Sequence, residues 1–190
     1  MRQFCQLFEL TTESRILDVG GSEFNWGLLR FSPHVVLLNL SVPRERESNF
    51  TWVVADGRYL PFKNGAFDVV YSNSVIEHLG NFEDQRLFAK EAMRVGRRYY
   101  VQTPNKWFFV EPHLITPFIH WFPRRIQGLL LRNFTVWGWL TRPTREYCES
   151  FTNEVRLLNR SELQQLFPDA EIIHERVLGL SKSVIAVKNS

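Results

Sequence analysis

From Arg15 to Val101 the chain repeats one pattern, a short apolar run followed by a longer polar or mixed connection. Arg15–Gly20, His34–Leu40, Thr51–Ala55, Phe67–Tyr71 and Tyr99–Val101 read as buried strands, because each run is too short for a buried helix and turn-forming or charged residues bound most of them. The connections carry helical signals. Phe24–Phe31 predicts a short helix closed off by Pro33. The clearest helix is Glu83–Val95, where Leu87, Phe88, Met93 and Val95 supply a partial apolar face. Glu83 and Asp84 suit its positive start, Arg94 suits its negative end, and Gly96 is a natural stop. Buried strands separated by helix-sized connections predict an α/β fold with a mostly parallel sheet and helices on both faces.

The alternation fails from Thr103 to Tyr147, where Pro104, Pro112, Pro117, Pro123 and Pro143 punctuate a very aromatic stretch. Helical pieces are expected at His113–Trp121 and Arg124–Phe134. Beyond it, Ser161-Glu162-Leu163-Gln164 reads as a capping box opening a short helix. Glu171–Leu178 and Ser183–Val187, joined by Gly179-Leu180-Ser181-Lys182, read as a closing antiparallel hairpin. The expectation is one domain over residues 1–190 with a lid-like insertion at about 106–147.

Composition narrows the function. The chain has 190 residues, 44% of them hydrophobic, which fits one globular domain with a real core. The net charge is only +3, and Arg97-Arg98 and Arg124-Arg125 are pairs rather than runs, so nucleic acid is not the expected partner. Cys5 and Cys148 lie far apart in sequence, so neither a disulfide framework nor metal-ligand spacing is present and no metal is expected. Met1–Leu10 is too short and too polar for a signal peptide, and Pro or charge interrupts every apolar stretch before the roughly 18 residues of a spanning helix. A cytoplasmic protein is expected. The aromatic and basic stretch Trp121–Leu140 leaves three readings: a cover packed on the sheet, a hydrophobic substrate pocket, or a helix lying on a membrane surface.

Candidate chemistry begins at Asp18-Val19-Gly20-Gly21-Ser22-Glu23, a turn between a strand and a helix. Ligands of open α/β sheets bind outside the carboxyl ends of the strands, and glycines let the backbone approach them closely. The dinucleotide fingerprint counted from Gly20 would need Gly at positions held by Ser22 and Asn25, so a nicotinamide site is disfavoured. Asn39 ends the second strand about 20 residues beyond the turn, where a ribose-binding acid is expected, and its amide can still bond hydroxyls. Asp56 ends the third strand and can accept from an exocyclic amine. Each alone is equally an ordinary strand-end or turn residue; three at successive strand ends point to one ligand.

Ile16-Leu17-Asp18-Val19-Gly20-Gly21, Val35 to Ser41, Ala55-Asp56-Gly57-Arg58-Tyr59-Leu60-Pro61-Phe62 and Phe67 to Leu79 together resemble a class I methyltransferase of the type 11 group, which uses S-adenosylmethionine (SAM). The resemblance covers about residues 14 to 105. It implies a Rossmann-like, seven-stranded, mostly parallel sheet with helices on both faces and an antiparallel last strand. It also implies methyl transfer from SAM, with Asp18, Gly20 and Gly21 on the methionine and ribose side, Asn39 at the ribose, Asp56 and Gly57 at the adenine, and Asn73 near the reacting methyl. Asn39 stands where the family usually has an acid. His113, Glu111 and His78 follow the fifth and fourth strands and are the candidate acid/base groups. Each also has a structural reading, as a turn, cap or helix-start residue. The expected acceptor is a small molecule, hydrophobic or linked to a lipid or sugar. Two rivals stay open: a non-catalytic SAM-fold binding or scaffold protein, and a nucleotide-dependent oxidoreductase.

Overall fold

The computed structural model describes residues 1–45, 49–111, 116–117, 119–122, 124–144, 146–148 and 154–190. Among the described residues nine strands run in chain order: β1 Arg15–Val19, β2 His34–Asn39, β3 Thr51–Val54, β4 Phe67–Asn73, β5 Gly96–Pro104, β6 Val110–Glu111, β7 Thr116–Pro117, β8 Glu171–Val177 and β9 Leu180–Lys188. The helices are α1 Arg2–Phe8, α2 Glu23–Gly27, α3 Phe82–Val95, α4 Arg124–Phe134, α5 Val136–Thr141 and α6 Arg160–Leu166, with 3-10 turns at Ile76–Leu79 and Ile119–Trp121.

Seven strands form one sheet in the order β3-β2-β1-β4-β5-β9-β8. The first five pair in parallel; β9 runs antiparallel to both β5 and β8. The strand order reverses between β1 and β4, the position at which such sheets open a crevice at their carboxyl edge.

Side chains alternate along the strands and build two apolar layers. Leu17, Val70, Tyr99 and Ala186 face α3 and α6, with Phe88, Ala92 and Phe167 between them. Ile16, Val69, Tyr100 and Ile185 face the other way, where Phe4 and Phe8 of α1 and Trp26 of α2 close the core. The Phe4 ring sits 4.7 Å from Tyr71 and 5.4 Å from Tyr100. Helices therefore cover both faces, as the sequence predicts.

Several boundaries differ from the sequence reading. α2 ends at Gly27 rather than Phe31, and β5 starts directly at Gly96 and runs on to Pro104. The N-cap of α6 is Asn159, not Ser161: its side chain accepts from the Glu162 amide at 2.9 Å, and the Glu162 carboxylate accepts from the Asn159 amide at 3.0 Å. The capping box thus sits two residues earlier. The final hairpin turns at Leu178-Gly179, both with positive φ (51° and 81°), the geometry that suits a tight two-residue turn between twisted strands.

In the predicted lid region, Arg124–Phe134 is helical as expected. Among the described residues, His113–Trp121 is not one helix: β6 and β7 pair antiparallel and Ile119–Trp121 turns helically. Pro117 explains this, since in the middle of the expected helix it removes a backbone donor and disfavours helix at Thr116. Ile119, Leu131 and Cys148 bury together in a small cluster separate from both sheet cores.

Candidate functional site

At the carboxyl ends of β1, β2 and β3 a cavity of about 700 Å³ opens. Gly20, Asn39, Asp56, Gly57 and His78 of the predicted set line it. Its other walls include Val19, Leu38, Leu40, Ala55, Val75, Leu79 and Phe88. An apolar slot with a few convergent polar groups is the usual form of a small-molecule site.

The turn after β1 is built around its two glycines. Gly20 has φ 80°, and a Cβ there would lie 2.3 Å from Val75 Cγ2. Its amide donates to the Leu38 carbonyl at 2.7 Å, which locks the turn onto β2. A Cβ on Gly21 would lie 1.7 Å from Asp18 Oδ2, so the Gly21 backbone rests directly on the Asp18 carboxyl group.

Asp18 is therefore not a wall of the cavity; it supports the turn from beneath. The side chain is fully buried and accepts from Trp26 Nε1 at 2.7 Å. Its Oδ1 has no hydrogen-bond partner among the described residues. Burial pushes its carboxyl up to about 7, and the Trp26 hydrogen bond offsets only part of that. Gly21 likewise lies outside the cavity lining.

Asn39 and Asp56 reach the cavity already held by neighbours. Asn39 Nδ2 donates to the Gly21 carbonyl at 2.8 Å, tying β2 to the glycine turn and leaving Oδ1 and one N–H in hand. Asp56 accepts from the Arg58 amide at 2.9 Å and from its guanidinium at 2.6 and 3.0 Å. Arg58 also bridges to Asp84 in the first turn of α3 at 2.9 Å. The Arg58 hydrogen bonds hold the Asp56 carboxyl below its usual range. Asn73 ends β4 in an exposed position outside the cavity lining, while Ser74, with φ 58°, takes the place beside it in the wall.

Of the three candidate acid/base residues, the structure brings His78 to the cavity, exposed on its 3-10 turn. That turn is pinned by its neighbour Glu77, whose buried carboxylate accepts from Thr103 Oγ1 at 2.9 Å and whose carbonyl accepts from the Arg156 amide at 2.7 Å. Glu111 lies in β6. His113 is outside the described residues. Sequence reasoning missed Phe88, Arg58 and Glu154 as wall residues. Arg58 carried a signal, the Asp-x-Arg spacing that closes on Asp56. Phe88 and Glu154 arrive from α3 and from the segment before α6, and only the tertiary fold brings them here.

A family model described as a methyltransferase domain matches residues 29–98. None of the curated proteins matches the chain. Solved structures share its fold. A SAM-dependent methyltransferase from Methanosarcina mazei is 14% identical, with 94% of this chain and 92% of that one covered and a TM-score of 0.52. A chain from the Haloferax volcanii complex that contains the Trm112 methyltransferase activator is 13% identical, covering 98% and 86%, with a TM-score of 0.60. A Rhodobacter sphaeroides chain provisionally named a Zn-dependent alcohol dehydrogenase is 14% identical, covering 98% and 88%, with a TM-score of 0.64. Identities this low speak for the fold alone. Among the described residues, no group of three or more His, Cys, Asp and Glu is placed to hold a metal ion.

Proposed function

We propose that this chain is a SAM-dependent methyltransferase of the class I fold and that it methylates a small-molecule acceptor or one linked to a lipid or sugar; the methyltransferase-domain match over residues 29–98 and the sheet order support the reading. The observation that carries the reading is the cavity at the carboxyl ends of β1 to β3, with Gly20, Asn39, Asp56 and Gly57 converging on it.

The residues present fit SAM. Leu38, Leu40, Ala55, Leu79 and Phe88 make an apolar slot suited to a flat base. Asn39 and Asp56, at neighbouring strand ends, suit ribose hydroxyls and an exocyclic amine. Gly57 lets the chain after β3 pack against Phe88 and Val19, where a Cβ would press at 3.0 and 3.1 Å, and so helps keep the slot's wall in place. In its ionised form the Asp18 carboxyl beneath the glycine turn, its Oδ1 unpartnered among the described residues, favours a cation above it. SAM brings an activated methyl group on a sulfonium, so the transfer is an in-line displacement.

The protein's part is then to bind, orient and exclude water. The Arg58 clamp keeps Asp56 in one orientation, and the Gly21 carbonyl does the same for Asn39. Such preorganisation lowers the ordering cost of binding. A base is needed only if the acceptor must lose a proton, as a hydroxyl does. For that role the proposal names His113, with Glu111 to orient it or to hold a cationic substrate group, and His78 at the cavity wall as the second candidate. Residues 106–147 are proposed as a cover over the acceptor. The scattered surface charge supports a small or lipid-linked acceptor over nucleic acid, and a cytoplasmic location belongs to the same proposal.

The test supplies methyl-labelled SAM with separate pools of water-soluble metabolites, lipids and oligonucleotides. Label is expected in one of the first two. SAM binding with no transfer to any pool would sink the enzymatic reading in favour of a binding module. Label only in oligonucleotides would overturn the acceptor class.

A further inference from the structure

No helix among the described residues is long and apolar enough to cross a membrane. The insertion after β5 nonetheless exposes large apolar side chains. At the corner between α4 and α5, Phe134 is 72% exposed, Trp139 66% and Leu140 67%. This corner is firmly made: Thr135 is buried, its hydroxyl donates to the Leu131 carbonyl, and the same oxygen accepts from the Gly138 amide as the N-cap of α5. Trp107, Trp121 and Phe122 form a second exposed group before α4. The Trp107 and Trp121 rings lie 6.5 Å apart, Lys106 Nζ sits 5.6 Å over Trp107, and Trp121 Nε1 donates to the Lys106 carbonyl at 3.0 Å.

The two groups flank the ends of α4, whose 11 residues span about 16 Å. Ile126 is exposed along the way. The charge of this stretch is mainly basic: residues 106–147 hold six Lys and Arg and two acids, Glu111 and Glu146. Arg124 and Arg125 stand in the first turn of α4, which has no acidic residue.

We propose that this surface docks on an anionic lipid bilayer, with α4 lying along the membrane plane. Tryptophan and phenylalanine at both ends of an amphipathic, basic helix suit the interface between headgroups and acyl chains. Pairing with a second copy is disfavoured, because it would bring two cationic surfaces together. The surface grows from the carboxyl end of β5, the same end of the sheet at which the cavity opens. Docking therefore presents the cavity's end of the molecule to the membrane. The inference rests on the exposed groups and their charge, not on the acceptor proposed above.

Sedimentation with phosphatidylcholine vesicles, with and without phosphatidylglycerol, tests it. The protein should bind the anionic vesicles, bind plain phosphatidylcholine much more weakly, and be released by salt. Trp139→Ala with Leu140→Ala should bind on the order of tenfold more weakly. Arg124→Ala with Arg125→Ala should lose roughly fivefold per cation. Leu28→Ser, which alters an exposed leucine at the end of α2, should bind as the unaltered protein does. SAM binding, measured on every variant, reports an intact fold. Vesicle binding without SAM binding by the unaltered protein would count against methyl transfer and leave the docking standing. No binding to anionic vesicles, binding unchanged by both double variants, or binding to an acidic polypeptide in place of vesicles would overturn the docking.

Discussion

Replacing Asp18 with asparagine should change how stability depends on pH, with a sign that the burial of this one carboxyl dictates. Its ordinary value is 3.8, and burial pushes it up to about 7 in the folded chain. Below about pH 4 the group is protonated in both the folded and the unfolded chain and costs nothing. Between about pH 4 and 7 only the unfolded chain releases its proton, so stability falls by about 1.36 kcal/mol per pH unit. Above about pH 7 the accumulated loss levels off, at about 4 kcal/mol as a ceiling. The substituted amide keeps the shape and can still accept from Trp26 Nε1, but it cannot titrate. Asp56 and Glu91 push the opposite way: their folded values are lowered, so the stability they contribute is lost as pH falls. They are common to both proteins and cancel in the difference. Urea unfolding of both proteins at about pH 4, 6 and 8 should show Asp18→Asn gaining steadily on the unaltered protein as pH rises. A stability difference that stays constant across that range would refute the buried, partly protonated Asp18.

Gly21→Ala should destabilise the fold by about 1–3 kcal/mol by thermal or urea unfolding, because the new methyl would sit 1.7 Å from Asp18 Oδ2 and must displace it. His113→Ala should lower turnover on a hydroxyl acceptor by about 10²–10⁴-fold with SAM affinity retained, and near-normal turnover would make His113 structural. Amides across residues 106–147 should exchange faster than those of the sheet and slow when SAM and acceptor are both bound; equal exchange with and without them would count against a cover.

The sheet was legible because its apolar runs are short and nearly continuous, the mark of strands buried on both faces. The pairing of Leu17 with one core and Ile16 with the other is that pattern seen in three dimensions. That Gly20, Asn39 and Asp56 share one cavity was legible for the same reason, since the strand ends mark where such a sheet opens its crevice. The depth of Asp18 was not. It depends on Trp26, eight residues on, folding back to seal the turn. The α6 cap was misplaced because two overlapping segments both match the capping pattern; the structure uses Asn159 and Glu162, and Arg156 pairs with that Glu162. The stretch 106–147 resisted reading because its prolines and aromatics suit several local structures. Within it α4 is amphipathic and packs Leu131 with Ile119 and Cys148 in a cluster apart from the sheet.

Titration calorimetry with SAM bears most directly on the central claim, run on the unaltered protein and on Asp56→Ala, with NADH as the comparison ligand. The account predicts saturable SAM binding, weakened by about 1–3 kcal/mol in Asp56→Ala, and no saturable binding of NADH. Absence of SAM binding at millimolar ligand, or saturable NADH binding in its place, would contradict it.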